Sequence, residues 1–313
     1  MKKIKSEEKK AVEAEISKNF AGFTIETISD IHQGQNGYSY NFLLKKEGKL
    51  FLLKTLFLEK LSVTDREQAK KEIDACVVVK SSYVAELIEH KVTKKYGFLL
   101  FPFLEGQTLA QLMKERVREN KIFSEEEVKD IGIKIILAIS EIYRKYKIVH
   151  QDIKPENIFI TNSGEIKLLD FGAVRYKTSP FKGSARHNFK YASPEQILTC
   201  PPSTIQGERM VIDDRSDVFS CGLILYEIIT GLHPYQSEVY PSVSIAEGKP
   251  IPLIERKDIS KDFKEIIYTL LSFSIEYRPH ASKAMLSLQD GKVVKPELSK
   301  GKLNYSATNA IRS

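Results

Sequence analysis

The feature that most constrains this chain is the stretch at residues 148–172, which reads IVHQDIKPENIFITNSGEIKLLDFG. Two short apolar runs, at residues 158–160 and 166–169, flank a turn-forming Asn-Ser-Gly, so the pattern predicts a β-hairpin. Asn157 enters the first strand and Asp170 leaves the second. In an antiparallel hairpin these two residues lie at the same end.

Side chains suited to phosphate chemistry are expected at that end. The amide oxygen of Asn157 and the carboxylate of Asp170 are hard ligands of the kind that Mg²⁺ accepts together with phosphate oxygens. Asp152 lies five residues before Asn157 on the loop that enters the hairpin, and Lys154 follows two residues later. A base, a cation and two metal ligands are therefore predicted at one edge.

This order of residues resembles the eukaryotic-type serine/threonine protein kinase family, whose catalytic loop reads H-R-D-x-x-x-x-N and is followed by D-F-G. Here residues 150–157 read HQDIKPEN, and residues 170–172 read DFG. Gln151 stands where many kinases have arginine. The resemblance covers about residues 20–290.

The resemblance implies an α+β, two-lobed kinase fold with ATP bound between the lobes. It implies an N-lobe built on an antiparallel sheet with one major helix, and a mainly helical C-lobe. The expected divisions are a charged N-terminal extension, the N-lobe, the C-lobe and a polar, basic tail, at residues 1–19, 20–103, 104–290 and 291–313.

Composition agrees with a soluble globular protein of this size. The chain has 313 residues, of which 42% are hydrophobic and 28% charged. The net charge of +7 is spread along the chain, so we favour solubility over a preference for anionic partners, and we expect no nucleic-acid partner. Cys76, Cys200 and Cys221 are too scattered for a disulfide framework or a zinc site.

These features predict a reducing, cytoplasmic location, with export by a non-classical route left open. The N-terminus lacks the apolar core of a secretory signal, and no run reaches the ~18 apolar residues of a membrane span. The sequence does not determine the oligomeric state.

The N-terminal third predicts an extension followed by strands. Residues 1–19 alternate lysine and glutamate with few apolar positions, which predicts an exposed helix or a disordered extension outside the core. Apolar runs predict three strands, at residues 23–31, 38–44 and 50–56. Between the first two, HQGQNG takes the place of the kinase glycine-rich loop, where Gly34 and Gly37 would let backbone amides approach ATP phosphates. A plain hairpin turn explains these glycines equally well.

Lys54 lies inside an apolar run and needs a partner, because an unpaired charge there would be costly. The resemblance makes it the strand lysine that contacts the α- and β-phosphates and pairs with a helix glutamate. Residues 65–80 have helical character, and Glu72 shares a helical face with Ala69 and Cys76. Glu72 is the predicted partner and Glu67 the alternative, against a purely solvated acid.

The resemblance also places the adenine site. Leu52 and Ser39 stand where the family usually has alanine and valine, so the roof of the pocket is altered. Phe101, in the predicted strand at residues 98–103, is the expected gatekeeper, and the backbone N–H of Leu104 would bond adenine. Phe159 completes the expected ATP-binding set.

After the D-F-G element, the resemblance predicts an activation segment that closes at Ser193-Pro194-Glu195. Glu195 is expected to pair with Arg278, and Asp217, near the start of the central helix, to brace the backbone of the catalytic loop. The link at residues 199–215 contains two adjacent prolines, which predicts a surface excursion. It could be a docking element, although a tolerated insertion is favoured.

The helix before the catalytic loop is predicted by a capping box at residues 124–127. Apolar residues at helical spacing between Val128 and Tyr146 place this helix in the core, and we assign it no chemistry.

The leading hypothesis is a serine/threonine protein kinase that uses ATP and Mg²⁺. Asp152 would accept the proton of a Ser/Thr hydroxyl on a protein substrate, while Asn157 and Asp170 hold the metal. Lys54 would position the phosphates. Lys154 favours Ser/Thr over Tyr by resemblance, since it can neutralise charge on the transferring phosphoryl group.

Two other classes stay open. A pseudokinase that acts as a binding scaffold is suggested by the altered adenine roof and the incomplete glycine loop. A small-molecule phosphotransferase can share the H-x-D-x-x-x-x-N logic, but Lys154, the segment 193–195 and Arg278 favour a protein kinase.

Gln151 suggests unusual regulation. Arginine at this position helps kinases to bind a phosphorylated activation-segment residue, whereas glutamine carries no charge. The segment has three candidate phosphorylation sites and four cations, at Thr178, Ser179, Ser184, Arg175, Lys177, Lys182 and Arg186. Cations on a mobile segment are poor anchors. We therefore predict activity without phosphorylation of this segment, either constitutive or under control of a regulatory protein partner.

Overall fold

A computed structural model describes residues 6–29, 39–176, 190–198, 212–235 and 241–294. The chain divides into two compact units, Met1–Glu105 (unit 1) and Gly106–Ser313 (unit 2). This division lies two residues beyond the boundary expected between residues 103 and 104. Gly34, Gly37, Cys200 and residues 177–189, with their candidate phosphorylation sites, lie outside the described residues.

Unit 1 is built on a five-stranded antiparallel sheet, in which the strands that begin at residues 24, 39, 49, 96 and 89 lie side by side in that order. The three predicted strands and the strand predicted at residues 98–103 are all present, with small shifts at their ends. The strand at residues 89–92 was not predicted, because its sequence Glu-His-Lys-Val has almost no apolar pattern. In chain order the elements are α1 (Ser6–Asn19), β1 (Thr24–Ser29), β2 (Ser39–Lys46), β3 (Lys49–Phe57), a 3₁₀ helix (Leu58–Lys60), α2 (Val63–Val78), β4 (Glu89–Val92) and β5 (Tyr96–Pro102).

The central strand β3 separates two environments, since alternate side chains point to opposite faces of a sheet. Leu53 and Phe57 belong to a buried apolar cluster on one face. Leu52 and Lys54 point to the other face. The helix α2, capped by the Ser62 side chain, which accepts a hydrogen bond from the N–H of Asp65, supplies the partner of Lys54.

The prediction that residues 1–19 lie outside the core is wrong. The helix α1 buries Val12 and Ile16, and Phe20 continues the same stripe, at 0%, 1% and 2% exposure. These side chains pack into the cluster that contains Leu53 and Phe98, and the rings of Phe20 and Phe98 meet edge to face at 5.8 Å. The spacing of four residues puts all three apolar side chains on one helical face, so few apolar positions were enough. Unit 1 therefore has a second helix beside α2.

Unit 2 is mainly helical, in agreement with the predicted α+β fold. In chain order its elements are β6 (Gly106–Thr108), α3 (Leu109–Arg118), α4 (Glu125–Tyr146), β7 (Ile148–Val149), a 3₁₀ helix (Pro155–Asn157), β8 (Ile158–Thr161), β9 (Ile166–Leu168), β10 (Arg175–Tyr176), α5 (Pro194–Leu198), α6 (Asp214–Thr230), α7 (Pro241–Ala246), α8 (Lys261–Leu270), a 3₁₀ helix (Ile275–Tyr277) and α9 (Ala281–Asp290).

Two helices organise the core of unit 2. The predicted capping box at Ser124 and Glu127 is present and begins α4. The helix α6 is buried along almost its whole length and begins at Asp214, three residues before the expected start, with Asp213 as its cap. The link at residues 199–215 was predicted as a surface excursion, but its last residues, from Ile212 onward, are mostly buried. Residues 199–211 lie outside the described residues.

The chain beyond α9 is described only to residue 294, where the N–H of Val294 bonds to the hydroxyl of Ser287 at 3.0 Å. In the described part of the chain, none of the helices combines the length and apolar character needed to cross a membrane.

Candidate active site

The predicted hairpin forms, and it brings Asn157 and Asp170 to one end. β8 pairs antiparallel with β9, and the N–H of Leu169 bonds to the carbonyl of Asn157 at 2.8 Å. This bond continues the ladder, so Asp170 follows directly after the residue opposite Asn157.

The carboxylate of Asp152 is held by two neighbours. Lys154 Nζ donates to Asp152 Oδ2 at 2.7 Å, and Asn157 Nδ2 donates to the same oxygen at 2.8 Å. Burial raises the pKa of Asp152 to about 6, although Lys154 and Asn157 stabilise its charged form. The result is a carboxylate with the basicity of a general base that works near neutral pH.

The orientation of Asn157 fits the predicted metal site. Its Nδ2 donates to the backbone carbonyl and the side chain of Asp152, both at 2.8 Å, so its Oδ1 is the atom that points elsewhere. Asp170 is exposed, has a left-handed backbone (φ 60°), and accepts a hydrogen bond from the N–H of Gly172 at 3.0 Å. An amide oxygen beside an exposed carboxylate is a donor set that suits Mg²⁺.

His150 is a neutral structural residue of the loop. Burial lowers its pKa to about 4. Its Nε2 lies 3.1 Å from the carbonyl of Leu169 and must donate there, which leaves Nδ1 to accept from the N–H of Asp152 at 3.4 Å. The ring packs against Phe171 with centroids 5.2 Å apart.

Asp217 braces the catalytic loop as expected. Its carboxylate accepts hydrogen bonds from the backbone N–H of His150 at 2.7 Å and of Gln151 at 2.8 Å. Burial raises the pKa of Asp217 to about 7, while these two hydrogen bonds favour its charged form.

In unit 1, Lys54 pairs with Glu72 as predicted. Lys54 Nζ lies 2.6 Å from Glu72 Oε1, and the glutamate is 4% exposed. Glu67, the alternative partner, is exposed on α2. The pair links β3 to α2.

The other predicted adenine-site residues of unit 1 share the sheet face of Lys54. Leu52 is paired with Phe101 across β3 and β5, and Ser39 is paired with Leu56 across β2 and β3. Paired residues project to the same face. Leu104 follows β5 and is half-buried, and in unit 2 the half-buried Phe159 lies on β8 opposite Thr108.

The end of the activation segment is anchored as expected. Arg278, which is 1% exposed, pairs with Glu195 at 2.7 Å, and Ser216 Oγ donates to the same carboxylate at 2.6 Å. Although burial opposes ionisation, these two neighbours hold the pKa of Glu195 below its usual value.

Two features of the site were not predicted. Gln196 is completely buried and contacts the catalytic loop, and a single glutamine after Ser-Pro-Glu carries no pattern that would signal this. Arg175 was assigned to the mobile segment, which is wrong. It lies on β10, paired with Val149 of β7, and burial lowers its pKa.

Domains that transfer phosphoryl groups from ATP in the manner of protein kinases combine a loop aspartate, an asparagine and aspartate for the metal, and a strand lysine paired with a helix glutamate. The described residues include a side chain of each of these kinds. A family model of the protein kinase domain matches residues 25–287. The chain therefore belongs to the protein kinase family.

Curated relatives are serine/threonine kinases from animals and bacteria. The chain is 26% identical to the mouse serine/threonine-protein kinase Nek3 over 80% of this chain and 47% of the relative. It is 26% identical to a probable serine/threonine-protein kinase of Clostridium perfringens, over 82% of this chain and 36% of the relative. It is also 26% identical to the human serine/threonine-protein kinase Nek2, over 83% of this chain and 58% of the relative. The chain thus spans less than two thirds of the length of each of these relatives.

Proposed function

We propose that this chain is a serine/threonine protein kinase that transfers the γ-phosphoryl group of ATP to protein hydroxyls. The observation that carries the proposal is the Asp152 carboxylate, fixed by Lys154 at 2.7 Å and by Asn157 at 2.8 Å. A base held in this way can orient a hydroxyl before attack.

In this proposal Asp152 accepts the proton of the substrate hydroxyl. The hydroxyl oxygen forms a bond to the γ-phosphorus while the bond to the β–γ bridging oxygen breaks, and ADP leaves. Lys154 would stabilise charge on the transferring group. Asn157 and Asp170 would hold Mg²⁺, which neutralises phosphate charge when it is bound.

In unit 1, Lys54 would bind the α- and β-phosphates, with its side chain oriented by Glu72. Leu52 and Phe101 would contact adenine, together with the backbone of Leu104 and the ring of Phe159. The glycines Gly34 and Gly37, which lie outside the described residues, would contribute backbone amides.

A scaffold without catalysis is less well supported. The altered residues Leu52 and Ser39 still favour it. However, the Asp152 carboxylate is held by both a lysine and an asparagine, an arrangement that suits a catalytic base. The buried pair of Glu195 and Arg278 likewise favours a protein substrate over a small molecule, by analogy with other protein kinases.

The test is phosphate transfer from labelled ATP to a generic protein substrate in the presence of Mg²⁺. Asp152→Ala should fold and lose at least ~100-fold in rate, the scale of general-base catalysis. Asp130→Ala, which removes an exposed carboxylate of α4, is the control and should match wild type. A rate for Asp152→Ala within fewfold of wild type would remove Asp152 from the mechanism, and transfer to small molecules only would favour the phosphotransferase.

We further propose that activity does not require phosphorylation of the activation segment. The support is Gln151, a buried neutral side chain in the place of arginine. Control of the enzyme would then be constitutive or exerted by a protein partner. Arg175 is the observation that opposes this proposal, because it lies on a strand paired with β7 next to the catalytic loop, where its cation would anchor a phosphorylated residue.

Phosphatase treatment tests this second proposal, with mass spectrometry to show that Thr178, Ser179 and Ser184 are unmodified. We expect an initial rate within threefold of the untreated enzyme. A loss above ~10-fold, or ~1.4 kcal/mol in the barrier, that returns on rephosphorylation would contradict the proposal. If rephosphorylation no longer restores the rate in Arg175→Gln, then Arg175 is the residue that binds the phosphorylated segment.

A further inference from the structure

Gln196 bridges the end of the activation segment and the catalytic loop. Its side chain is 0% exposed. Oε1 accepts hydrogen bonds from the backbone N–H and the hydroxyl of Ser193, both at 2.9 Å, and Nε2 donates to the backbone carbonyl of Gln151 at 3.0 Å. Because the N–H of Ser193 can only donate and the carbonyl of Gln151 can only accept, the amide has one orientation.

The bond to Gln151 falls on a strained part of the loop. Gln151 has φ 63°, in the left-handed region that non-glycine residues avoid. Such a backbone persists only where surrounding contacts hold it. Asp217, on α6, binds the N–H of Gln151 at 2.8 Å, while Gln196, on α5, binds its carbonyl. The peptide groups on both sides of the Gln151 Cα are therefore held, each by a different helix.

The second of these peptide groups joins Gln151 to Asp152. A peptide group is planar, so the carbonyl of Gln151 lies in one plane with the N–H and the Cα of Asp152. Fixing that carbonyl fixes the position of the Asp152 Cα, from which the Asp152 side chain leaves the backbone. Lys154 and Asn157 then hold the carboxylate at its other end.

We propose that Gln196 is a positioning residue for Asp152, and that it makes the geometry of the base depend on how Ser193 anchors the end of the activation segment. This inference rests on the proposed role of Asp152 as the base. It adds a second support from α5 to the one that Asp217 supplies from α6.

The test uses Gln196→Met, which keeps the length of the side chain and removes its hydrogen bonds. A displaced base weakens the transition state more than substrate binding, so kcat should fall by at least ~10-fold. KM for Mg·ATP should stay within twofold. Hydrogen exchange of peptides that cover residues 148–156, followed by mass spectrometry, should become faster.

The matched control is Tyr235→Phe, which removes another hydrogen bond from a buried side chain to a backbone carbonyl of unit 2, from the Tyr235 hydroxyl to Lys249 at 2.9 Å. It should lower the melting temperature comparably and change neither kcat nor the exchange of residues 148–156. A general loss of stability would affect both variants alike.

A folded Gln196→Met protein with kcat within twofold of wild type and unchanged exchange would overturn the proposal. If that variant does not fold, Ser193→Ala takes its place. Ser193→Ala removes one of the two hydrogen bonds that Gln196 Oε1 accepts. A kcat and a hydrogen-exchange rate equal to those of wild type would contradict the proposal in the same way. If wild type itself transfers no phosphate, the proposed function fails, while the exchange comparison still decides whether Gln196 holds the loop.

Discussion

At the scale of single residues, the ionisation of Asp152 should set the pH dependence of the proposed activity. Burial raises its pKa to about 6, and only the carboxylate can accept a proton, so kcat should fall as the pH drops through about 6. Lys154→Met removes a cation that favours the carboxylate, so the residual activity should fall at a higher pH than in wild type.

The measurement is kcat across about pH 5 to 8. Lys134→Met, which breaks the exposed pair of Lys134 and Asp130, is the control, and its kcat should fall at the same pH as in wild type. If kcat of Lys154→Met also falls at the wild-type pH, another group controls the rate.

Thr55 offers a second prediction at this scale. Its hydroxyl oxygen is buried without a hydrogen-bond partner among the described residues, on the face of β3 that α1 covers. Thr55→Val keeps the shape and removes the unsatisfied group, so it should raise the free energy of unfolding by about 1 kcal/mol.

Thermal or chemical unfolding measures this gain. Thr230→Val is the control, since the Thr230 hydroxyl donates to the carbonyl of Tyr226 at 2.9 Å and its loss should destabilise. Lower stability in Thr55→Val would show that its hydroxyl is satisfied in solution.

At the scale of elements, α1 should be part of the folded N-terminal unit. Ile16→Ala leaves a cavity between α1 and the sheet, which should cost about 2–5 kcal/mol. Ser17→Ala, on the exposed face of the same helix, should stay within about 0.5 kcal/mol of wild type. Urea unfolding compares the two, and equal stabilities would show that α1 does not pack on the sheet in solution.

The junction between α6 and α9 should depend on pH. His280 Nδ1 lies 2.7 Å from Asp214 Oδ1, and Asp214 also accepts the N–H of Ala281 at 2.8 Å. The hydrogen bond to Asp214 raises the pKa of His280, with Asp213 adding to it and Arg215 opposing it. The charged pair therefore contributes stability below the unfolded pKa of about 6.5. That contribution should disappear as the pH rises through the folded pKa.

His280→Asn should remove this part of the pH dependence, which unfolding at about pH 6 and pH 9 can measure. His90→Asn, an exposed histidine on β4, is the control and should keep it. If the free energy of unfolding changes between the two pH values by the same amount in wild type and in His280→Asn, the assignment is contradicted.

At the scale of the whole molecule, the predicted nucleotide-binding residues are divided between the units, with Lys54 in unit 1 and Asn157 and Asp170 in unit 2. A ligand that binds only the folded chain stabilises it by about 2.7 kcal/mol at 100 times its Kd. ATP should therefore raise the melting temperature more with Mg²⁺ than without it. In Asp170→Ala the additional rise in melting temperature that Mg²⁺ causes should disappear, whereas Asp130→Ala should retain it. If Mg²⁺ adds the same rise in Asp170→Ala as in wild type, Asp170 does not belong to the metal site.

The sequence alone determined the features whose signals are local or carried by ordered polar residues. The hairpin of β8 and β9 follows from two apolar runs and a turn, and the start of α4 follows from its capping box. The pair of Lys54 with Glu72 was predicted because a buried charge needs a partner and the resemblance named a helix glutamate, whereas the pair of Glu195 with Arg278 was predicted from the resemblance alone.

The tertiary structure decided where distant segments meet. Val12 and Ile16 in a lysine- and glutamate-rich stretch, and Phe20 directly after it, became core only because the sheet presents an apolar face to α1. Gln196 donates a hydrogen bond to a carbonyl 45 residues away, and Arg175 pairs with Val149 of β7. A burial or a hydrogen bond of this kind depends on which surfaces the fold brings together, and that information is absent from the local pattern of either segment.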